Sequence, residues 1–87
     1  MNEEEKINKI IWILWWVKKE DREQFLKVLF TENEIKDFSD RIDILSKLKS
    51  WESQRKISAE VWVSITTVTR GNKFYKENKE IIEKYIK

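Results

Sequence analysis

The stretch Ser53-Gln-Arg-Lys-Ile-Ser-Ala-Glu-Val-Trp-Val-Ser-Ile-Thr-Thr-Val-Thr-Arg-Gly-Asn72 decides the fold of this 87-residue chain. It reads as two short helices joined by a tight turn. Ile57 and Val61, four residues apart, mark one face of a first helix at about 53–60. Val63 belongs to the turn, and Val68 is the inward position of a second helix at about 64–71. Ser64 stands where an N-cap belongs, so Ile65, Thr66 and Thr67 form the first turn of that second helix. Such a helix-turn-helix, about residues 53–71, lays its second helix in the DNA major groove with its N-terminal residues at base edges. A plain structural αα-hairpin has the same pattern.

Working outward, the rest of the chain is also helical. A first helix is predicted over residues 3–18, with Ile7, Ile10, Ile11, Leu14 and Val17 on one face, and a second over 20–30. Thr31-Glu-Asn-Glu34 is a capping box, with threonine at the cap and glutamate three residues on. It opens a central helix over about 32–49 whose expected inward face is Ile35, Phe38, Ile42, Leu45 and Leu48. A last helix, about 76–86, carries Ile81, Ile82, Tyr85 and Ile86. The β-branched cluster from Val61 to Val68 has no partner strand in the sequence. The expectation is an all-α fold of six helices in a single domain, residues 1–87.

Thr67-Val-Thr-Arg-Gly-Asn72, taken with Ser53-Gln-Arg55, resembles the trp repressor superfamily. The resemblance runs back through Leu29-Phe-Thr-Glu-Asn-Glu-Ile-Lys-Asp-Phe-Ser-Asp-Arg-Ile42 and covers roughly residues 20–75. It implies an intertwined homodimer that represses transcription by binding double-stranded DNA. Two reading heads about one helical turn apart, roughly 34 Å, would match a near-palindromic operator.

On the expected DNA face, Thr66, Thr67 and Thr69 offer hydroxyls for base edges and methyls for thymine. Ile65, apolar on an exposed first turn, meets either a base edge or a neighbouring helix. Gln54 and Arg55 open the first helix of the motif; arginine to guanine is the commonest specific contact, and a phosphate clamp is the alternative for Arg55. Lys56 and Lys73 are assigned to phosphates, which position without reading sequence.

The resemblance also implies a small-molecule site for L-tryptophan as co-repressor, with no other cofactor. Arg41 matches the arginine beside the indole, Arg70 the one that holds the carboxylate, and Gly71 is its neighbour. Thr31 matches the threonine that reaches the carboxylate from the partner subunit. Arginine suits that role because its planar fork binds a carboxylate bidentately. A pairing of Arg41 with Glu34, Asp37 or another acid on its own helix, and of Arg70 with a phosphate, is the alternative use of each. Phe74 departs from the family, which has a small hydroxyl residue near the ligand's amino group.

Composition narrows the remaining function classes. Net charge is +2, from 18 basic and 16 acidic residues, too balanced to advertise nucleic-acid binding by itself. Cations are placed unevenly: Glu3, Glu4 and Glu5 crowd the N-terminus, while Arg55, Lys56, Arg70 and Lys73 flank the reading helices. Cysteine and histidine are both absent, which removes disulfides and the common nucleophiles, general bases and transition-metal ligands. One glycine, Gly71, cannot build a phosphate loop, so an enzyme is not expected. The apolar run from Ile10 to Val17 is too short for a membrane span, which needs about 20 residues, and its acidic start does not suit a signal peptide. The expectation is a cytoplasmic protein with no membrane partner. A ligand-independent regulator of the same fold and a helical oligomerisation module without DNA binding remain as alternatives.

Glycine would ordinarily number about six in such a chain, and here it is one against five tryptophans. Trp51, at the end of the central helix, and Trp62, in the turn, stand where the resembled family has glycine. Either Trp12, Trp15 and Trp16 build an aromatic core and the two turns tolerate tryptophan, or some or all of the five are UGA glycine codons read as tryptophan. UGA means tryptophan in some bacterial codes and glycine in others.

Overall fold

A computed structural model describes residues 2–87. The described residues form six α-helices and no strand: α1 (Glu3–Trp16), α2 (Arg22–Leu29), α3 (Glu32–Lys49), α4 (Gln54–Val61), α5 (Ile65–Glu77) and α6 (Lys79–Tyr85). This is the all-α, six-helix architecture expected. The chain divides into two compact units between Ile35 and Lys36.

In the first unit, Asn2 caps α1 by accepting the Glu5 N–H at 2.8 Å, and Glu3, Glu4 and Glu5 favour the positive end of the helix. Val17 and Lys18 are extended, so α1 stops two residues before its expected end. A single 3-10 turn, Lys19–Asp21, then leads into α2. Neither α1 nor α2 buries a residue in the isolated chain. The capping box is formed reciprocally: the Thr31 N–H donates to Glu34 Oε1 at 2.9 Å, and the Glu34 N–H donates to Thr31 Oγ1 at 3.1 Å.

The second unit holds the core. Ile44 and Leu48, one turn apart on α3, meet Ile57 of α4 and Val68 of α5, with Val61, Val63 and Tyr75 packed against them. Ile57 and Val68 are fully buried, as their spacing predicts. Of the expected inward face of α3, the single chain buries Leu48 and half-buries Leu45, while Ile35, Phe38 and Ile42 are exposed in it; Ile44, outside that expectation, takes the central place. The buried stripe follows the side of α3 that meets Gly71 of α5, whose missing side chain admits Ile44.

A second correction concerns α5, which continues through Gly71 to Glu77 instead of ending at 71. Gly71 has no positive φ, and the residues after it contain no breaker. The helix breaks instead at Asn78, whose N–H donates to the carbonyls of Phe74 and Tyr75, so α6 begins at Lys79. Tyr75 Oη donates to Glu83 Oε1 at 2.8 Å, and Lys49 Nζ donates to the Ile86 carbonyl at 3.0 Å. The latter satisfies a free carbonyl at the C-terminus of α6.

Both ends of the α3–α4–α5 segment's connections turn on left-handed residues, Trp51 (φ 65°) and Trp62 (φ 64°). After α3, the Glu52 N–H donates to the Lys47 carbonyl and the Trp51 N–H to the Leu48 carbonyl, both at 3.1 Å. That pair of bonds is a Schellman stop. After α4, the N–H groups of Trp62 and Val63 both donate to the Ser58 carbonyl. Ser58 Oγ donates back to the Val63 carbonyl, closing the turn that sets α5 against α4.

Candidate nucleic-acid interface and ligand groove

The α4–turn–α5 segment is built from caps as well as core. Ser53 accepts the Lys56 N–H at 3.2 Å to start α4. Ser64 accepts the Thr67 N–H at 3.1 Å to start α5, and its hydroxyl is 2.9 Å from Thr67 Oγ1. Val68 and Tyr75 face the core from α5. Helical spacing therefore turns Thr66, Thr69, Arg70 and Lys73 away from the core, while Ile65, three residues before Val68, lies at the flank of that face; all five are exposed.

Ile65 keeps 48% of its surface exposed at the tip of α5, an apolar side chain at the start of an outward face. Thr66 stands beside it with its hydroxyl uncommitted among the described residues. Thr69 Oγ1 lies 2.9 Å from both Gln54 Oε1 and the Ile65 carbonyl. The first of these contacts ties the opening residue of α4 to the outward face of α5. Gln54 and Thr69, both expected at DNA, thus orient one another, and the Gln54 amide NH2 remains available to donate. Sequence reading missed this link, because a polar pair fifteen residues apart leaves no periodic trace.

Charge is concentrated here. Residues 53–76 carry Arg55, Lys56, Arg70, Lys73 and Lys76 against the single acid Glu60, although the whole chain is only +2. Arg55 is exposed on the first turn of α4. Lys56 is less free, sitting 3.2 Å from Glu52 and 3.7 Å from Glu60. Lys47 of α3 joins the same cluster, 2.6 Å from Glu60 and 3.6 Å from Glu52. The hydrogen bond from Lys47 holds the Glu60 carboxyl below its ordinary range, and its counterpart raises Lys47. This cluster fixes α4 to α3.

The residues expected at a ligand divide differently. Arg70 lines a groove of about 230 Å³ with Lys73, Phe74 and Glu77, all on α5. Two cations and one carboxylate surround an aromatic ring in that groove, a charge pattern suited to a zwitterion. Glu77 was missed, although its spacing from Arg70 by seven residues puts both on one helical stripe. Arg41 makes no ion pair with Glu34 or Asp37; its guanidinium lies 5.9 Å from the Phe38 ring. Gly71 packs directly under Ile44, so its missing side chain serves the α3–α5 contact. Thr31 belongs to the first unit, where Oγ1 accepts from Glu34 and its own proton is still available to an acceptor.

Among the described residues no helix is long and apolar enough to cross a membrane. No solved structure matches the chain. The family model described as Trp repressor protein matches residues 8–87. A Trp operon repressor homolog of Xylella fastidiosa (strain M23) is 34% identical over 70 residues, 77% of this chain and 76% of that protein. Another, from Vibrio parahaemolyticus serotype O3:K6, is 37% identical over 65 residues, 74% of this chain and 63% of its own length. With the match running from α1 through the two capped helices to the last residue, the chain belongs to the Trp repressor family, whose members are transcription regulators and not enzymes.

Proposed function

We propose that the protein is a homodimeric, sequence-specific DNA-binding repressor, cytoplasmic, with L-tryptophan as its co-repressor and tryptophan metabolism as its target. The observation that carries this reading is the outward face of α5, where Ile65, Thr66 and Thr69 begin a helix capped at Ser64 and flanked by Arg55, Arg70 and Lys73. Thr66, Thr67, Thr69 and Ile65 read base edges, with Gln54 and Arg55 beside them from α4. Lys73 and Lys56 hold phosphates. The whole chain, residues 1–87, works as one DNA-binding domain per subunit.

The homodimer is supported by how little one chain buries: Ile44, Leu48, Ile57, Val68 and Ile82 are its buried hydrophobic residues among those described. Ile10, Ile11, Leu26, Leu29, Phe38 and Ile42 are large, apolar and exposed on α1, α2 and α3. A second copy would remove that surface from water, at about 25 cal/mol for each Å² of apolar area. In the dimer Arg70, Arg41, Gly71 and the partner's Thr31 surround the amino acid. The groove at Arg70, Phe74 and Glu77 supports a zwitterionic aromatic ligand.

A ligand-independent regulator is the second reading, and Phe74 favours it. Its ring, 62% exposed, stands in the same groove and can occupy space that a ligand would need. Binding of the purified protein to a labelled trp-operator-like palindrome, with and without L-tryptophan at two salt concentrations, separates the readings. Binding that requires L-tryptophan and weakens steeply with salt is the expected result. Equal binding without L-tryptophan selects the second reading, and no binding to this palindrome calls for other operators and the Trp62→Gly variant before an oligomerisation module is adopted.

A further inference from the structure

We infer that residues 51 and 62 are glycine in the protein as its own cell makes it, the two tryptophans standing for UGA codons that the cell reads as glycine. The backbone carries the argument. Among the described residues, Trp51 and Trp62 are the positive-φ residues other than glycine. Tryptophan is only five of the 87 residues, yet it takes both positions. A bulky side chain at positive φ is a true outlier, whereas glycine adopts that region freely.

Both residues also occupy the same place in a helix stop, the left-handed residue just before the one whose N–H closes the turn. The bonds from Glu52 to Lys47 and from Val63 to Ser58 each reach back five residues around a left-handed residue. That is the helix stop in which glycine is the usual occupant. Neither indole gains anything there: Trp51 is 90% and Trp62 89% exposed, and neither ring N–H donates a hydrogen bond among the described residues. A strained residue normally persists because packing or chemistry over-determines it. Here nothing holds either side chain, while the turns they strain join α3 to α4 at Trp51 and α4 to α5 at Trp62.

The single glycine of the chain points the same way. Gly71 lies within α5 at ordinary helical φ, so glycine is missing from the two places where the backbone demands it. One third-position base separates UGA from the tryptophan codon UGG, and one first-position base separates it from the glycine codon GGA. A single reassigned codon therefore accounts for both strained turns and moves the composition from one glycine and five tryptophans to three of each. Codons 12, 15 and 16 decide Trp12, Trp15 and Trp16 separately.

The coding DNA and the mass of the protein from its own cells test this together. TGA at codons 51 and 62, with tryptic peptides 50–55 and 57–70 each lighter by the tryptophan–glycine difference, is the expected result. TGG at either codon, or peptides of tryptophan mass, overturns the inference. A second measurement rests on the backbone alone. Trp51→Gly and Trp62→Gly should each raise the thermal midpoint by roughly 4–8 °C or more. Trp51→Ala and Trp62→Ala, which lose the indole without gaining the left-handed freedom, should gain clearly less. Glycine variants that unfold no later than the alanine ones would remove the physical ground for the assignment.

Discussion

Ile44 Cγ2 lies 2.8 Å from the point where a Cβ on Gly71 would stand, so α3 and α5 touch at a distance only glycine permits. Ile44 is branched at Cβ and stiff about χ1, which leaves it little room to yield. Gly71→Ala should therefore destabilise the protein by about 1–3 kcal/mol despite alanine's better helix propensity. Chemical denaturation measures it. The cost should shrink in an Ile44→Ala background, and a double-mutant cycle with no coupling between the two positions would contradict the contact.

Ser64 supports the start of α5 through its hydroxyl, which accepts the Thr67 N–H and also lies 2.9 Å from Thr67 Oγ1. Ser64→Ala should cost about 1 kcal/mol and lower the thermal midpoint by roughly 4–8 °C. Ser64→Asp restores an acceptor and should recover most of that loss. If alanine and aspartate behave alike, the helix does not depend on its cap.

These two sites show what could be read from the sequence and what could not. Ser64, Thr31 with Glu34, Ile57 and Val68 were legible because caps and helical spacing act within a few residues. Ile44 was not, because which stripe of α3 is buried depends on where a glycine on another helix lets it approach. The same glycine looked like a helix end and instead lies inside α5. The DNA-facing threonines were legible as a set, but their arrangement was not. Gln54 and Thr69 orient each other across fifteen residues, and Lys47 reaches Glu60 across thirteen, whereas the pairs of Lys56 with Glu52 and Glu60 follow the local four-residue spacing.

Lys47 joins α3 to α4 through Glu60 at 2.6 Å, and that bond should be visible in the pH dependence of stability. Glu60 is held below its ordinary value of 4.5, chiefly by the hydrogen bond from Lys47. A carboxyl lowered in the folded state contributes stability above its unfolded value and loses it as pH falls through the folded one. Lys47, raised above its ordinary 10.5 by the same bond, contributes until pH rises through its raised value. Unfolding midpoints of the parent and of Glu60→Gln should differ most between these limits and converge as pH falls below 4.5. A constant gap across the acid range would mean that Glu60 acts through packing and not through its charge.

Thr69 faces outward and holds Gln54, so removing its hydroxyl should affect recognition more than folding. Thr69→Val keeps the volume and, because the bond is exposed, should change stability by less than about 1 kcal/mol. Operator affinity should fall by roughly ten-fold if the Gln54 amide is aimed at a base through this bond, since one good base contact is worth about 1–3 kcal/mol. Affinity for unrelated DNA should be unchanged. A loss equal on operator and unrelated DNA would place Thr69 in backbone positioning instead.

Lys73 and Lys56 carry the same charge on the same surface but differ in what already neutralises them. Lys56 sits within 4 Å of two carboxylates, whereas Lys73 makes no ion pair among the described residues and lies beside Arg70. A phosphate must compete with Glu52 and Glu60 for Lys56, whereas at Lys73 no carboxylate is already paired and Arg70 adds a second cation against Glu77. Lys73→Ala should reduce the slope of log affinity against log salt by roughly one for each subunit bound. Lys56→Ala should reduce it by less, and Glu60→Gln, by releasing Lys56, should steepen it. Equal slopes for the two lysine variants would mean that the acids surrender Lys56 completely when DNA arrives.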